Sequence, residues 1–153
     1  MTKITASQIK QLRKETGAGV MDVRQALVDS DGDPESAKKI LKQKGLEKAA
    51  QKEERTTAAG LIETYIHSDG RIGSMIYLAC ETDFVARTDD FKILAKELTM
   101  QVAAMDPKNI DELVKQEYIR DPEKTIKELI AEVIAKTGEN IQVRKLARFA
   151  LGD

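Results

Sequence analysis

In the first quarter of the chain, apolar residues recur at the three- and four-residue spacing of a helix. Thr5 and Gln8 have the spacing of a capping box at a helix start, and Ile9 and Leu12 follow them on one side. The glycine-rich segment TGAG at 16–19 then interrupts the pattern. The pattern predicts a first helix that ends at this segment.

Two further helices are predicted before residue 46. The second begins near Val20 and ends in DSDG at 29–32, and the third begins with DPE at 33–35. That segment supplies an N-cap, a proline at the first helical position and an acid in the first turn. We expect the third helix to stop at Gly45. Short amphipathic helices of this kind pack around one small core, so the sequence predicts a three-helix N-terminal domain over 1–45.

A charged segment separates this bundle from the rest of the chain. Residues 46–58, LEKAAQKEERTTA, contain Leu46 as their one large apolar residue. Such a segment is typical of an exposed helical connector. The second domain is therefore expected to span 59–153.

After the connector, the hydrophobic period changes from helical to alternating. Residues 61–67 and 72–80 are rich in β-branched and aromatic residues and flank an Asp-Gly pair at 69–70. This pair favours a type I′ turn, so the two segments are predicted to form a β-hairpin. Pairing through that turn places Ile62 opposite Tyr77.

The remaining apolar pattern predicts helices and one more strand. Helices are expected over 89–105, over 110–118, and from DPE at 121–123 to Gly138. Residues 140–149 alternate again and are expected to return to the hairpin. The predicted fold class is α+β, with a three-helix bundle followed by a small antiparallel three-stranded sheet covered by helices.

Composition and charge narrow the classes of function. The 153 residues are 41% hydrophobic and 33% charged, with a net charge of −1, so no global field attracts nucleic acid or an acidic membrane. One cysteine and one histidine provide neither an intrachain disulfide nor a four-ligand zinc site, and no cofactor is expected. The sequence has no run of about 18 apolar residues, which favours the cytoplasm. A processed organelle protein would share these features.

Few residues are candidates for covalent chemistry. His67 lies beside the hairpin turn with no second base placed by a motif, and Cys80 lies in an apolar strand, where a thiol packs as a small hydrophobe. The TGAG segment joins two helices and lacks the Gly-Lys-Ser/Thr ending of a phosphate-binding loop. We therefore do not expect an enzyme.

The segment ETDFVAR at 81–87 is the strongest candidate for an interaction site. Phe84 and Val85 stand among charged and polar residues in a loop between a strand and a helix. Two interpretations remain open. Phe84 either packs back onto the sheet while Thr82 or Asp83 caps a turn, or it is an exposed aromatic beside a carboxylate, which is the composition of an interface hot spot.

Four stretches carry a resemblance to a known family. They are LRKETGAGVMDVRQAL at 12–27, GDPESAKKILKQKGLEKAA at 32–50, CETDFVAR at 80–87 and KTGENIQVRKLARF at 136–149. In these stretches and in their order the chain resembles the elongation factor Ts family, the guanine-nucleotide exchange factors of the translation GTPase elongation factor Tu. The resemblance extends over nearly the whole chain.

The resemblance implies a ubiquitin-associated type of N-terminal domain and a core domain with an antiparallel sheet. It implies that elongation factor Tu is the partner and that GDP release, followed by GTP loading, is the activity, without direct contact with nucleic acid or membrane. The residues implied to contact Tu are Leu12, Val20 and Met21 around the TGAG turn, and Thr82, Asp83, Phe84 and Val85. The last four are the part associated with dislodging Mg²⁺ in Tu.

Two departures from the family pattern bear on assembly. Val20 stands where many members carry Met, and the 106–125 segment is shorter than in longer members, which add a helical insertion or a second copy of the core subdomain. The shorter segment is expected to leave one sheet face open, and a homodimer could cover it.

Two other classes of protein remain as alternatives. One is a ubiquitin-associated-like adaptor, in which 1–50 bind a partner, the core is a scaffold and there is no exchange activity. The other is a small RNA-binding protein that uses Arg144, Lys145 and Arg148, although no aromatic residue for base stacking lies among these side chains.

Overall fold

The structure is a computed structural model that describes residues 2–153. Within this range the chain forms helices and strands in an α+β arrangement, which confirms the predicted fold class. The elements are α1 (Ala6–Thr16), α2 (Val20–Asp29), α3 (Pro34–Lys52), β1 (Ala59–Ile66), β2 (Ile72–Cys80), α4 (Asp83–Ala86), α5 (Asp89–Met105), α6 (Ile110–Lys115), β3 (Glu117–Tyr118), β4 (Asp121–Thr125), α7 (Ile126–Thr137) and β5 (Ile141–Ala150).

Helices α1, α2 and the first half of α3 form the N-terminal bundle. The capping box of α1 is present as predicted, with the Thr5 N–H donating to Gln8 Oε1 at 2.8 Å and the Gln8 N–H donating to Thr5 Oγ1 at 3.2 Å. Asp33 caps α3 by accepting the Ser36 N–H at 3.0 Å, without a reciprocal bond. The core of the bundle consists of Leu12, Val23, Ala26, Leu27, Ala37 and Leu41.

The sequence pattern predicted that α3 ends at Gly45, and this prediction was wrong. The helix continues to Lys52. One glycine inside a helix costs about 1 kcal/mol, and the strong helix formers LEKAAQK that follow it favour continuation. Residues 46–52 are therefore part of α3, and only the segment after Lys52 is non-helical before β1 begins.

The three long strands form an antiparallel sheet in the order β1-β2-β5. Ile62 pairs with Tyr77 in the β1–β2 ladder, so the hairpin register is as predicted. Helix α5 lies against β1 and β2, and its Phe91 is fully buried with Ile76 and Leu78 of β2. The sheet therefore has one face in the core and one face that α5 leaves open.

The hairpin turn is not the predicted type I′ turn. The His67 N–H donates to the Ile72 carbonyl at 2.9 Å, and the Gly70 N–H donates to the His67 carbonyl at 2.7 Å. A type I′ turn needs positive φ at both central residues, but only Gly70 has it, at 75°, while Asp69 does not. Asp69 instead accepts the Arg71 N–H at 3.1 Å, an Asx turn that a longer loop accommodates.

The second DPE segment, at 121–123, does not begin a helix. It lies in β4, which pairs with β3, and this pairing also ends α6 at Lys115 rather than at Tyr118. Helix α7 begins at Ile126, because Thr125 accepts the Glu128 N–H at 3.2 Å as the N-cap. The prediction was wrong because a second cap signal four residues later competes with the first.

Candidate functional site

The TDFV segment forms a single helical turn, α4, at the end of strand β2. Thr82 is its N-cap and accepts the Val85 N–H at 3.3 Å. Val85 is only 4% exposed and packs in the core, whereas Phe84 is 80% exposed and Asp83 is also exposed. Of the two interpretations of this segment, the structure therefore has the exposed aromatic beside a carboxylate.

A glutamate from another loop holds the start of this turn. Glu139 Oε1 accepts the backbone N–H groups of Glu81 at 3.1 Å and of Thr82 at 3.0 Å, and Oε2 accepts the Thr82 hydroxyl at 2.7 Å. Glu139 is 57 residues from Thr82 in sequence. Sequence reasoning missed it, because nothing in the sequence alone brings the loop between α7 and β5 to this turn.

The neighbouring thiol is structural. Cys80 is fully buried, and its Sγ–H donates to the Thr82 carbonyl at 3.2 Å. Burial raises the pKa of the Cys80 thiol to about 11, and the negative charge of Glu139 adds to the shift. A protonated thiol at neutral pH is a poor nucleophile, so Cys80 supports the turn by packing.

The TGAG turn is the second candidate surface. Gly17 ends α1 with a left-handed φ of 69°, and Gly19 leads directly into α2. Val20 is 45% exposed and Met21 is 69% exposed, but Leu12 is 2% exposed and belongs to the bundle core. Val20 and Met21 are therefore the exposed apolar residues of this surface, and Leu12 packs beneath them in the bundle.

Both candidate surfaces adjoin the carboxyl end of α7. A side chain at Gly17 would clash with the Lys136 side chain, so the TGAG turn lies directly against this lysine. Three residues further along the chain, Glu139 holds the TDFV turn. One helix end thus positions two segments that are far apart in sequence.

The basic tail is engaged within the chain. The Arg144 guanidinium donates to Thr57 Oγ1 at 2.6 Å, and the Arg148 guanidinium donates to the Ala103 carbonyl at 3.0 Å and lies near two carboxylates. Arg144 and Lys145 are nevertheless exposed, whereas Arg148 is partly buried. In residues 2–153 no helix is both long and apolar enough to cross a membrane, and no group of three or more potential metal ligands occurs.

Comparison with known proteins assigns the family. The profile of the family described as Elongation factor TS matches residues 81–153. A relative described as "Elongation factor Ts", from Caldanaerobacter subterraneus subsp. tengcongensis, is 42% identical over 195 residues, which cover 98% of this chain and 98% of the relative. The chain belongs to the elongation factor Ts family.

Other members of the family that align with this chain differ in their own length. An elongation factor Ts from Desulfosudis oleivorans is 38% identical over 198 residues and is covered completely, as is this chain. The one from Nostoc punctiforme is 44% identical over 153 residues, which are all of this chain but 48% of the relative. Alignments of 195 and 198 residues exceed the 153 residues here, so those relatives contain residues that have no counterpart in this chain.

Proposed function

We propose that this chain binds elongation factor Tu in its GDP-bound form and promotes GDP release, after which GTP loads. Membership of the elongation factor Ts family supports the choice of partner. The observation that carries the mechanism is Phe84, whose ring is 80% exposed at the tip of a turn that is anchored on both sides.

The TDFV turn acts on the Mg²⁺ and phosphate site of Tu. A GTPase holds its nucleotide through Mg²⁺ that bridges the phosphates and through a backbone cradle. Phe84 is the wedge that enters near the metal, and Asp83 beside it alters the charge and hydrogen bonding there. Displacing Mg²⁺ loosens the nucleotide.

Thr82 and Val85 have a different role in this proposal. Val85 is buried and fixes the turn to the core, and the Thr82 hydroxyl is used within the chain by Glu139 and the Val85 N–H. These two residues therefore hold Asp83 and Phe84 in place and do not themselves provide much contact with Tu.

The N-terminal bundle supplies affinity. Val20 and Met21 stand exposed at the start of α2, directly after the glycine turn. An exposed methionine adapts its shape to a partner, which suits an apolar contact on the nucleotide-binding domain of Tu. We infer that this surface holds Tu while the TDFV turn acts on the nucleotide.

Exchange by this route makes and breaks no covalent bond. The chain stabilises a form of Tu that binds nucleotide poorly, and by thermodynamic reciprocity nucleotide weakens the binding of the chain by the same factor. A ternary complex is therefore short-lived. The protein is an exchange factor and not an enzyme in the covalent sense.

The direct test is the release of fluorescent GDP from a bacterial elongation factor Tu, measured by stopped flow with and without this protein. The proposal expects a release rate that increases with the concentration of the protein and then saturates. Binding to Tu without any acceleration would instead favour an adaptor. RNA binding that falls steeply with salt, in the absence of any effect on GDP release, would favour the basic tail as the active part.

A further inference from the structure

We propose that Glu139 is a positioning residue for nucleotide exchange, acting through the direction in which it holds Phe84. This inference rests on the proposed function, in which Phe84 is the wedge. Glu139 is partly buried and both of its carboxylate oxygens are bonded to the first residues of the turn, so in this proposal it acts on Tu through the TDFV turn.

The turn needs an external anchor because it is so short. Helix α4 has four residues, so its first N–H groups have no carbonyl acceptor within the helix. The bond from the Val85 N–H to the Thr82 hydroxyl, at 3.3 Å, is long. Glu139 supplies what the turn lacks. One carboxylate accepts two successive N–H groups and one hydroxyl, at 2.7 to 3.1 Å.

The anchor is itself held from the opposite direction. Glu81 Oε1 accepts the Asn140 N–H at 2.8 Å, so the two loops exchange carboxylate-to-backbone bonds. Asn140 is 2% exposed, and its amide group donates to the carbonyls of Glu53 at 3.3 Å and Arg55 at 2.8 Å. We call this arrangement of Glu81, Glu139 and Asn140 the carboxylate clasp. It fixes Glu139 before any partner binds.

The backbone of the turn determines where Phe84 points. The Phe84 ring is 80% exposed, so its own chain provides little packing to direct it. A group that acts by position loses effectiveness when displaced by about 1 Å, and such losses reach about a hundredfold. Loss of the clasp should therefore slow the step in which the wedge acts, while affinity for Tu, which depends on Val20 and Met21, changes little.

Three substitutions of Glu139 distinguish the effects of its side-chain length, its charge and its hydrogen bonds. In Glu139→Gln the amide oxygen can still accept both N–H groups, and the amide N–H can donate to the Thr82 hydroxyl, which then accepts. Glu139→Asp keeps the charge but is one methylene too short to reach all three donors. Glu139→Ala removes every bond. We expect near wild-type exchange for the Gln variant and slow exchange for the Asp and Ala variants.

The measurement is stopped-flow release of fluorescent GDP from elongation factor Tu at increasing concentrations of the full chain, with a melting curve for each variant. For Glu139→Ala and Glu139→Asp we expect the maximal release rate to fall about tenfold, equivalent to about 1.4 kcal/mol, with the half-saturating concentration little changed. Glu132→Ala is the matched control, since Glu132 is a glutamate of α7 that pairs with Lys124 away from the turn. It should leave the rate unaltered.

A double substitution tests whether Glu139 acts through Phe84. If it does, Glu139→Asp added to Phe84→Ala slows release no further, because the wedge is already gone. Additive losses, an unaltered rate in a folded Glu139→Asp variant, or a loss in Glu139→Gln as large as in Glu139→Asp would each overturn the inference. The proposed function fails separately, when the wild-type chain itself does not accelerate release.

Discussion

The Lys42 ammonium lies 2.9 Å from Glu128 Oε2, and this ion pair joins helix α3 of the bundle to helix α7 of the core domain. The same ammonium donates to the Glu123 carbonyl at 2.8 Å. Glu128 is well shielded from solvent, with 19% of its side chain exposed, whereas Lys42 is 39% exposed, and the contact is an ion pair without hydrogen-bond geometry at Oε2. The bundle is thus held to the core by a charged contact and not only by the connector.

Lys42→Met should loosen this contact. The substitution leaves the shielded Glu128 carboxylate without its cation, which we expect to cost about 1 to 3 kcal/mol of unfolding free energy. Urea unfolding monitored by circular dichroism measures the change. Lys39→Met, an exposed lysine on the same helix, is the control and should change stability by no more than about 0.5 kcal/mol. Equal stabilities for the two variants would mean that the pair contributes nothing.

Elements that depend on local signals were predictable from the sequence. The capping box at Thr5, the cap at Asp33 and the bounds of α5 are as expected, because their hydrogen bonds close within four residues. The end of α3 was predicted wrongly, because the strong helix formers after Gly45 outweigh the cost of one glycine. The structure of the DPE segment at 121–123 was not predictable, because strand pairing and a competing cap determine it.

The candidate site also has a part that local sequence signals predict and a part that depends on tertiary contacts. The pattern of residues identified the TDFV segment, and the structure has Phe84 exposed and Val85 buried. Burial separates Leu12 from Met21, and this difference depends on how three helices pack. The role of Glu139 depends on a contact across 57 residues of sequence, which no local pattern encodes.

Met21→Ala should weaken binding to elongation factor Tu without affecting the fold. Met21 is 69% exposed, so its removal opens no cavity, but an apolar anchor at an interface contributes about 1 to 2 kcal/mol. Titration calorimetry with nucleotide-free Tu measures the affinity. Val28→Ala, at an exposed site near the other end of α2, is the control. A collapse in melting temperature with unchanged affinity per folded molecule would place Met21 in the core.

The raised pKa of the Cys80 thiol predicts that the folded chain loses stability at alkaline pH. Its folded-state pKa is raised to about 11 by burial, from an ordinary value of 9.0, so between these values the unfolded chain releases a proton that the folded chain retains. The stabilising contribution is therefore complete below about pH 9 and is lost as the pH rises through about 11, by at most about 3 kcal/mol. Urea unfolding from pH 8 to 11 should show a shallower decline for Cys80→Ala than for the wild type. Parallel declines would contradict the assignment.

The open face of the sheet predicts self-association. Ile62, Ile66, Met75 and Phe149 are exposed and lie on the face opposite Ile76 and Leu78, by the strand register. An apolar patch of this kind usually has a partner, and we expect a homodimer at high concentration. Sedimentation velocity from micromolar to near-millimolar protein measures it. Met75→Glu should shift the equilibrium to monomer, whereas Ile93→Glu on α5 should not, and a wild type that stays monomeric throughout would exclude the dimer.

Phe84→Ala is the sharpest test of the wedge. A buried phenylalanine replaced by alanine costs about 3 to 5 kcal/mol, but a side chain that is 80% exposed should cost no more than about 0.5 kcal/mol. The variant should therefore stay folded and release GDP from elongation factor Tu more slowly, with each tenfold loss equal to about 1.4 kcal/mol of transition-state stabilisation. Ile93→Ala, at another exposed apolar site, serves as the control.

Asp83→Asn separates the effect of charge from that of the ring. Asp83 is exposed beside Phe84, and its proposed role concerns the surroundings of the Mg²⁺ ion in Tu, so replacing the carboxylate should slow release to an extent that depends on magnesium concentration. The loss in Phe84→Ala, which removes a steric contact, should depend on magnesium less. Stopped-flow release across a magnesium series, with a melting curve for each variant, distinguishes the two residues. A folded Phe84→Ala variant with unaltered exchange at every magnesium concentration would eliminate the wedge mechanism, while membership of the family would stand.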